Sequence, residues 1–197
     1  NLYWEYKFRM EHLGLSMTSE TMQAMCDDGF EDMKRMRCDV IRCHLTPADF
    51  TDAEGNLVET IWLDMLGYLV GKAREHGIYV YITFINHMDF TLIEESFVAN
   101  ATREEWIFDP DVVQATQNYV RQLINLRNPY TGICYKDDAT IAVWGLINEP
   151  EYSTYRQMML DAKQKATFAA WLEANDYPWN DVYYGKYREA VVRAYID

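Results

Sequence analysis

The sequence predicts an α/β fold, the first half of a (β/α)8 barrel with about four βα units. Short apolar segments typical of buried strands alternate with longer amphipathic segments typical of helices, which is the pattern of parallel βαβ units. An open doubly wound sheet and a closed barrel both fit this pattern. Polar side chains follow each successive predicted strand, at the end where barrel enzymes build their active sites, and this placement favours the barrel.

The chain is expected to begin with a strand somewhere in residues 2–9, followed by a helix over residues 19–37. Thr18 or Ser16 can cap this helix, because a side-chain hydroxyl there accepts a hydrogen bond from the first helical turn. Apolar residues recur along the segment at steps of three to five, as on one helix face. These residues are Met22, Met25, Phe30, Met33 and Met36.

Two strands and a second helix come next. Residues 40–45 form a short apolar run with polar insertions, which predicts a strand, and residues 52–56 supply the Asp, Gly and Asn of a turn. Residues 58–76 predict an amphipathic helix that ends at Gly77, a residue suited to a left-handed cap. Residues 78–85 are β-branched or aromatic almost throughout, as in a strand buried on both faces.

A long loop separates these elements from the last predicted strand. Asp109-Pro110 is typical of a helix start, and this helix is expected to end near residue 127, before Asn128-Pro129. Residues 139–147 predict a further buried strand, which runs into Asn148-Glu149-Pro150. Two more helices are expected to close the chain, over residues 154–175 and 181–197.

The composition is that of an ordered globular domain. Hydrophobic residues make up 49% and charged residues 25% of the chain, which excludes a disordered protein. No Gly-, Ser- or Pro-rich linker divides the sequence, so residues 1–197 are expected to be the N-terminal part of one catalytic barrel with no second domain. The aromatic content of 15% suits stacking on sugars and packing in a core equally well.

The net charge narrows the choice of partners. With 18 basic and 31 acidic residues the chain carries a charge of −13, which repels phosphate backbones and anionic lipids. We therefore expect no nucleic-acid partner and no membrane partner. The chain opens without an initiator Met and without a signal peptide, so we expect an N-terminus that is processed, trimmed or not the natural one. A secreted or periplasmic location is the expectation, with a cytoplasmic location left open.

The sequence predicts neither a metal nor a cofactor. No glycine-rich loop of the GxGxxG or GxxxxGKS/T type follows a predicted strand, which argues against dinucleotides and nucleotides. The cysteines form no CxxC pair and have no interleaved histidines, so we expect buried free thiols rather than a zinc site. The cysteines are Cys26, Cys38, Cys43 and Cys134.

Glu149 is the candidate for acid/base chemistry. An apolar strand delivers it to the strand end, and Pro150 then interrupts the backbone hydrogen bonding. Partial burial at such a position raises the pKa of a carboxyl group, which suits a proton donor near neutral pH. The alternative is a solvated glutamate without a chemical role.

The segment Asn148-Glu149-Pro150 after an apolar fourth strand resembles the clan A glycoside hydrolases, especially family 5, the cellulase- and mannanase-type β-glycanases. The resemblance extends over about residues 30–150 and corresponds to the N-terminal half of that barrel. It implies Glu149 as the general acid/base and Asn148 as a hydrogen-bond partner of the sugar 2-hydroxyl and of the nucleophile. It also implies that Arg42 supports the nucleophile and that His87 lines the subsite beside the scissile bond.

Some of these assignments keep alternatives. Arg42 can instead form a structural salt bridge at the barrel rim. His44 lies two residues after Arg42 and therefore points to the same side of the strand, where it either contacts substrate or is a structural histidine. Metal binding by His44 and His87 is not expected, because no carboxylate has a suitable spacing.

A retaining glycosidase needs a second carboxylate as nucleophile. No second segment of the Asn-Glu-Pro kind follows Glu149, so the nucleophilic glutamate is expected outside this chain. The predicted function is hydrolysis of β-linked glycosides or polysaccharides by double displacement, by an enzyme that is incomplete as this fragment. The expected partners are a carbohydrate substrate and either the missing C-terminal half or a second copy. The alternatives are a non-catalytic carbohydrate-binding or scaffold fragment, and a lyase or isomerase in which Glu149 acts alone.

Overall fold

The computed structural model describes residues 18–86, 109–148 and 154–196. Strands β1 (Val40–His44), β2 (Tyr79–Ile85) and β3 (Ile141–Ile147) form a parallel sheet in the order β1-β2-β3. The parallel α/β architecture is thus confirmed for this part of the chain. The strand expected within residues 2–9 lies outside the described residues.

Helices precede and connect these strands. They are α1 (Ser19–Met36), α2 (Ile61–His76), α3 (Pro110–Asn125), α4 (Tyr155–Met158), α5 (Ala162–Ala174) and α6 (Tyr184–Ile196). Short 3-10 helices occur at Pro47–Asp49, Tyr135–Asp137 and Asp181–Tyr183. In the described part of the chain, no helix is long and apolar enough to cross a membrane.

The helix ends follow their capping residues. Thr18, one of the two candidates, caps α1 by accepting a hydrogen bond from the Thr21 backbone N–H. Helix α2 begins three residues later than predicted, because Thr60 caps it through the Leu63 N–H. It ends at Gly77 with φ 68°, the left-handed cap that the sequence predicted.

The prediction of one helix over residues 154–175 is wrong. The structure has two helices there, α4 and α5, and the chain turns between them. Thr154 and Gln157 form a capping box at the start of α4, and the Asp161 side chain accepts the Gln164 N–H to begin α5. Asp161 is a typical N-cap residue, and on that ground it indicates a helix start at this position.

One face of the sheet packs against the helices. The alternate residues Ile41, Cys43, Val80, Ile82 and Phe84 are buried in a single core, together with apolar residues of α1, α2 and α3. The hydroxyl of Tyr119 in α3 donates a 3.1 Å hydrogen bond to the carbonyl of Phe84, which ties this helix to β2. The core therefore lies on the helix side of the sheet, and Arg42 and His44 lie on the opposite face.

All four cysteines are free thiols, but only Cys26 and Cys43 are buried as predicted. Cys38 and Cys134 are only partly buried, so the prediction is wrong for these two. Burial raises the pKa of Cys43 to about 12, because the charged thiolate loses its hydration. Cys43 is therefore a neutral core residue of β1.

The turn before α2 is fastened to α3. Asp52 Oδ1 accepts the backbone N–H groups of Glu54 and Asn56, at 3.0 and 2.8 Å. Gly55 has φ 75°, and a Cβ added there would overlap the backbone carbonyl of Ala115 in α3. Glycine is thus required both by the left-handed backbone and by the close approach of the helix.

The Asp109 carboxylate links two helices and gives a pH-dependent prediction. It caps α3 through the Asp111 N–H and pairs with Lys163 of α5, and the hydrogen bond from Lys163 is the main reason that its pKa is lowered. A carboxyl group with a lowered folded-state pKa stabilises the protein above its unfolded pKa of about 3.9, and this contribution is lost as pH falls through the folded-state pKa.

We expect Asp109→Asn, which keeps the capping oxygen, to lower the free energy of unfolding at pH 7 by about 1 kcal/mol. At an acidic pH below the folded-state pKa of Asp109, the variant and the wild type should be equally stable, since both side chains are then neutral. Urea unfolding at the two pH values measures this. A difference that is the same at both would contradict the ion-pair contribution.

Candidate active site

The carboxyl ends of the three described strands bring polar side chains together on the face opposite the core. Arg42 of β1 is in register with Tyr81 of β2, and Tyr81 is in register with Val143 of β3. Arg42 alternates with the buried Ile41 and Cys43, so it lies on the face away from the helices. This is the inner face of the sheet in a barrel.

A hydrogen bond joins the two outer strands above this face. Arg42 Nη2 donates to Asn148 Oδ1 at 3.1 Å, across the width of β2. The backbone N–H of Asn148 donates to the Ile85 carbonyl at 2.9 Å, which extends the β2–β3 pairing one residue beyond β3. Because Oδ1 faces the guanidinium, the Nδ2 amino group of this buried side chain points away from Arg42.

Tyr81 supports the same guanidinium. The central carbon of the Arg42 guanidinium lies 4.6 Å from the Tyr81 ring centroid, and Nη2 is 3.5 Å from the phenol oxygen. The first distance is that of a cation–π contact, whereas the second is at the outer limit of a hydrogen bond. The ring face therefore contributes more to this contact than the hydroxyl does.

Gly145 leaves room for the Tyr81 ring. A Cβ added at Gly145 would lie 2.9 Å from both Tyr81 Cε2 and the phenol oxygen, and 3.1 Å from Thr83 Oγ1. The Tyr81 side chain thus crosses from β2 to lie over the glycine of β3. Glycine is needed at position 145 because the Tyr81 ring occupies the space that a side chain would take.

His44 lies one step further along the same face. It is partly buried and is in register with Thr83, which is in register with Gly145. Thr83 is fully buried, and its hydroxyl has no hydrogen-bond partner among the described residues. His44 therefore shares the face of Arg42, as expected from the spacing, and its contact with substrate stays a prediction.

Glu149 and His87 lie outside the described residues. The residues before them are described: Asn148 follows β3, and the buried Asn86 follows β2, its N–H donating to the Leu45 carbonyl at 2.9 Å. These two asparagines occupy equivalent places at adjacent strand ends. The roles of Glu149, Asn148, Arg42, His87 and His44 stay predictions.

No metal-binding group emerges from the part of the chain that the structure describes, where no three His, Cys, Asp or Glu side chains are arranged to hold an ion.

Tyr81 and Gly145 are the residues that the sequence analysis missed. Tyr79 and Tyr81 alternate with apolar residues in β2, which places both tyrosines on one face of the strand. This alternation is visible in the sequence. The register that sets Tyr81 beside Arg42, however, depends on how two parallel strands align although these residues are 39 positions apart in the sequence. A parallel crossover of this length leaves the register open in the sequence alone.

Solved structures with the same architecture are endo-β-1,4-mannanases. The endo-1,4-beta-mannanase from Rhizomucor miehei superposes with a TM-score of 0.53 and 21% identity, covering 65% of this chain and 40% of that protein. The endo-1,4-beta-D-mannanase from Thermotoga petrophila RKU-1 gives a TM-score of 0.51 and 22% identity, covering 74% and 44%. These similarities establish a common fold.

Sequence comparison leads to the same group of proteins, although no protein family model matches the chain. Mannan endo-1,4-beta-mannosidase 5 of Arabidopsis thaliana is 28% identical over 98 residues, which are 45% of this chain and 23% of that protein. Mannan endo-1,4-beta-mannosidase 4 of Oryza sativa subsp. japonica is 32% identical over 93 residues, 43% of this chain and 20% of that protein. The matched region thus spans about a fifth of these relatives. The resemblance predicted from Asn148-Glu149-Pro150 is confirmed: the relatives that match part of this chain are mannan endo-1,4-beta-mannosidases, glycoside hydrolases of family 5.

Proposed function

We propose that this chain is the N-terminal half of the catalytic (β/α)8 barrel of a retaining β-mannanase. The observation that carries the proposal is the hydrogen bond from Arg42 to Asn148, on the sheet face away from the helices and directly before Glu149. In the clan A resemblance these residue types at these strand ends surround the scissile glycosidic bond. The relatives named as mannan endo-1,4-beta-mannosidases support the same assignment.

In the proposed mechanism Glu149 protonates the leaving-group oxygen and later removes a proton from water. A nucleophilic carboxylate about 5–5.5 Å from Glu149 forms the glycosyl-enzyme intermediate, and we place this glutamate outside these 197 residues. The positive charge of Arg42 favours the ionised form of that nucleophile. Asn148 donates to the sugar 2-hydroxyl, and His87 and His44 line the subsite beside the scissile bond.

The proposed substrate is β-1,4-linked mannan, cut within the chain, because the relatives are named for that activity. A neutral polysaccharide is not repelled by the net charge of −13. Since a polymer of this kind does not cross a membrane, a secreted or periplasmic location fits the proposal. No nucleic acid, membrane or cofactor has a role in it.

The rest of the barrel is the proposed partner. The open face of the sheet exposes large apolar side chains, with Val40 at 56%, Tyr79 at 54% and Val143 at 45% of their accessible surface. The remaining strands of a closed barrel would cover this face and pair with the edges of β1 and β3, which have no partner strand among the described residues. In this proposal residues 1–197 belong to one catalytic barrel, and on their own they should self-associate and lack activity.

The test is an assay of the complete protein on β-1,4-mannan, with cellulose and mixed-linkage β-glucan for comparison. We expect hydrolysis of mannan, and proton NMR of the reaction should show new reducing ends first in the β configuration, as retention requires. Inversion would contradict the mechanism. Binding of mannan without hydrolysis would instead favour the carbohydrate-binding scaffold.

A further inference from the structure

We infer that Tyr81 is a positioning residue of this site: its ring, lying over Gly145, holds Arg42 in the orientation that reaches Asn148. The inference rests on the proposed function. It assigns a role to a side chain to which the family resemblance gives none, and which acts through Arg42 rather than on the substrate.

The Arg42 side chain reaches across the sheet. It leaves β1, passes over β2 and meets an oxygen beyond the end of β3. Arg42 is exposed, so an unsupported guanidinium would sample several rotamers and lose entropy on settling into one. The Tyr81 ring lies beneath the guanidinium at 4.6 Å and supplies the stacking surface that a planar cation prefers.

The Tyr81 ring is itself supported by the neighbouring strand. The ring is held from below by the backbone of β3, because Gly145 offers no side chain where Tyr81 Cε2 and Oη lie. A methyl group at that position would meet two ring atoms at 2.9 Å and force the ring to move. Tyr81 and Gly145 therefore act as a unit, and any displacement of the ring moves the surface on which Arg42 rests.

Tyr81 lies below the strand end at which the reacting bond would be bound. It lies four residues before the last residue of β2, one register step beneath the His44–Thr83–Gly145 row. Rows further along β2, up to Asn86, lie between Tyr81 and the strand end where substrate would bind. The effect of Tyr81 on catalysis is thus transmitted by Arg42 to Asn148 and to the nucleophile.

Three variants of the complete enzyme test this role: Tyr81→Leu, Tyr81→Phe and the matched control Tyr79→Leu. Tyr79 lies on the same face of the same strand and is in register with Val40 rather than with an arginine. We expect Tyr81→Leu to lower kcat on mannan by about 100-fold with little change in KM, as for a misplaced catalytic group. Tyr81→Phe keeps the ring and should lose less than about fivefold. Tyr79→Leu should leave kcat unchanged.

The pH profile separates positioning from mere loss of structure. The charge of Arg42 lowers the pKa of the nucleophile, so displacing Arg42 raises it. The acidic limb of kcat/KM should therefore move to higher pH in Tyr81→Leu and stay in place in Tyr79→Leu and Tyr81→Phe. An unmoved limb in Tyr81→Leu, together with a reduced kcat, would overturn the positioning role.

Gly145→Ala tests the same unit without deleting the ring. Alone it should lower kcat by about 10-fold to 100-fold, because the ring must leave its place. In a Tyr81→Leu background the same change should cost less than about threefold, since there is no ring to displace. Additive losses would overturn the assignment of Gly145. This variant also keeps the inference testable if Tyr81→Leu does not fold.

Crystal structures of the Tyr81→Leu and Tyr79→Leu variants decide the geometry independently of activity. We expect the 3.1 Å bond from Arg42 to Asn148 to be lost in the first and kept in the second. Its retention in Tyr81→Leu would overturn the inference whatever the kinetics. If the bond is lost in Tyr81→Leu but the complete wild-type protein does not cleave mannan, the geometric role is supported and the proposed function is overturned instead.

Discussion

Replacement of Glu149 by glutamine in the complete enzyme is expected to slow the hydrolysis of mannan by about 10²- to 10⁴-fold. An amide cannot donate the proton that the departing sugar oxygen needs. The first step on an aryl glycoside with a stable phenolate leaving group should lose far less, because that anion departs without protonation. Pre-steady-state release of the phenolate measures this first step directly.

Glu151→Gln is the matched control, since it neutralises a carboxylate two residues away in the same segment. We expect it to change kcat on mannan by less than about threefold, as an incidental charge near a site should. Equal losses on mannan and on the activated glycoside in Glu149→Gln would remove the acid/base assignment. An equal effect of Glu151→Gln would mean that the charge of the segment matters rather than one proton donor.

Gly55→Ala is expected to be the most destabilising single change in the described part of the fold, at about 3–5 kcal/mol. Two costs combine. An alanine with φ near 75° is strained, and its methyl group would overlap the Ala115 carbonyl of α3. Either the turn leaves the helix or the backbone of α3 shifts. The loss of unfolding free energy in urea measures the sum.

Gly77→Ala separates these two costs. Gly77 has φ 68°, close to that of Gly55, but an added Cβ meets no atom within 4 Å. Its replacement should cost only the backbone strain, about 1 kcal/mol. The excess of Gly55→Ala over Gly77→Ala then reports the contact between the turn and α3. Equal losses in the two variants would show that the turn moves away from α3 at little cost.

Most helices and strands could be predicted from the sequence because the residues at their ends carry local signals. Thr18, Gly77 and Asp109 each mark a helix end by a side chain or backbone conformation that acts within one turn. The division between α4 and α5 was missed because the segment is rich in helix formers throughout, and the short cap at Asp161 outweighs that propensity.

The part of the candidate site that lies at or near the strand ends could be predicted from the sequence. Asn148 directly follows a predicted strand and Arg42 lies near the carboxyl end of another, and the structure joins them by a hydrogen bond. Tyr81 and Gly145 depend on register instead. An irregularity in the β2–β3 pairing between Val80 and Tyr81 places one extra residue in β3, and this shift is what brings Gly145 opposite Thr83. Nothing local in the sequence specifies such a bulge.

The bond between Arg42 and Asn148 also has a consequence for how the protein folds. It connects positions 106 residues apart, and it needs β1, β2 and β3 to be paired before it can form. Contacts between residues so far apart in sequence form late in folding, because two loops must close first and no local contact offsets the entropy that this closure costs. A refolding chain can thus form its first helices well before the hydrogen bond between Arg42 and Asn148 can form. Formation of this bond should therefore lag behind the recovery of the circular dichroism signal, and the delay is a property of the parallel topology.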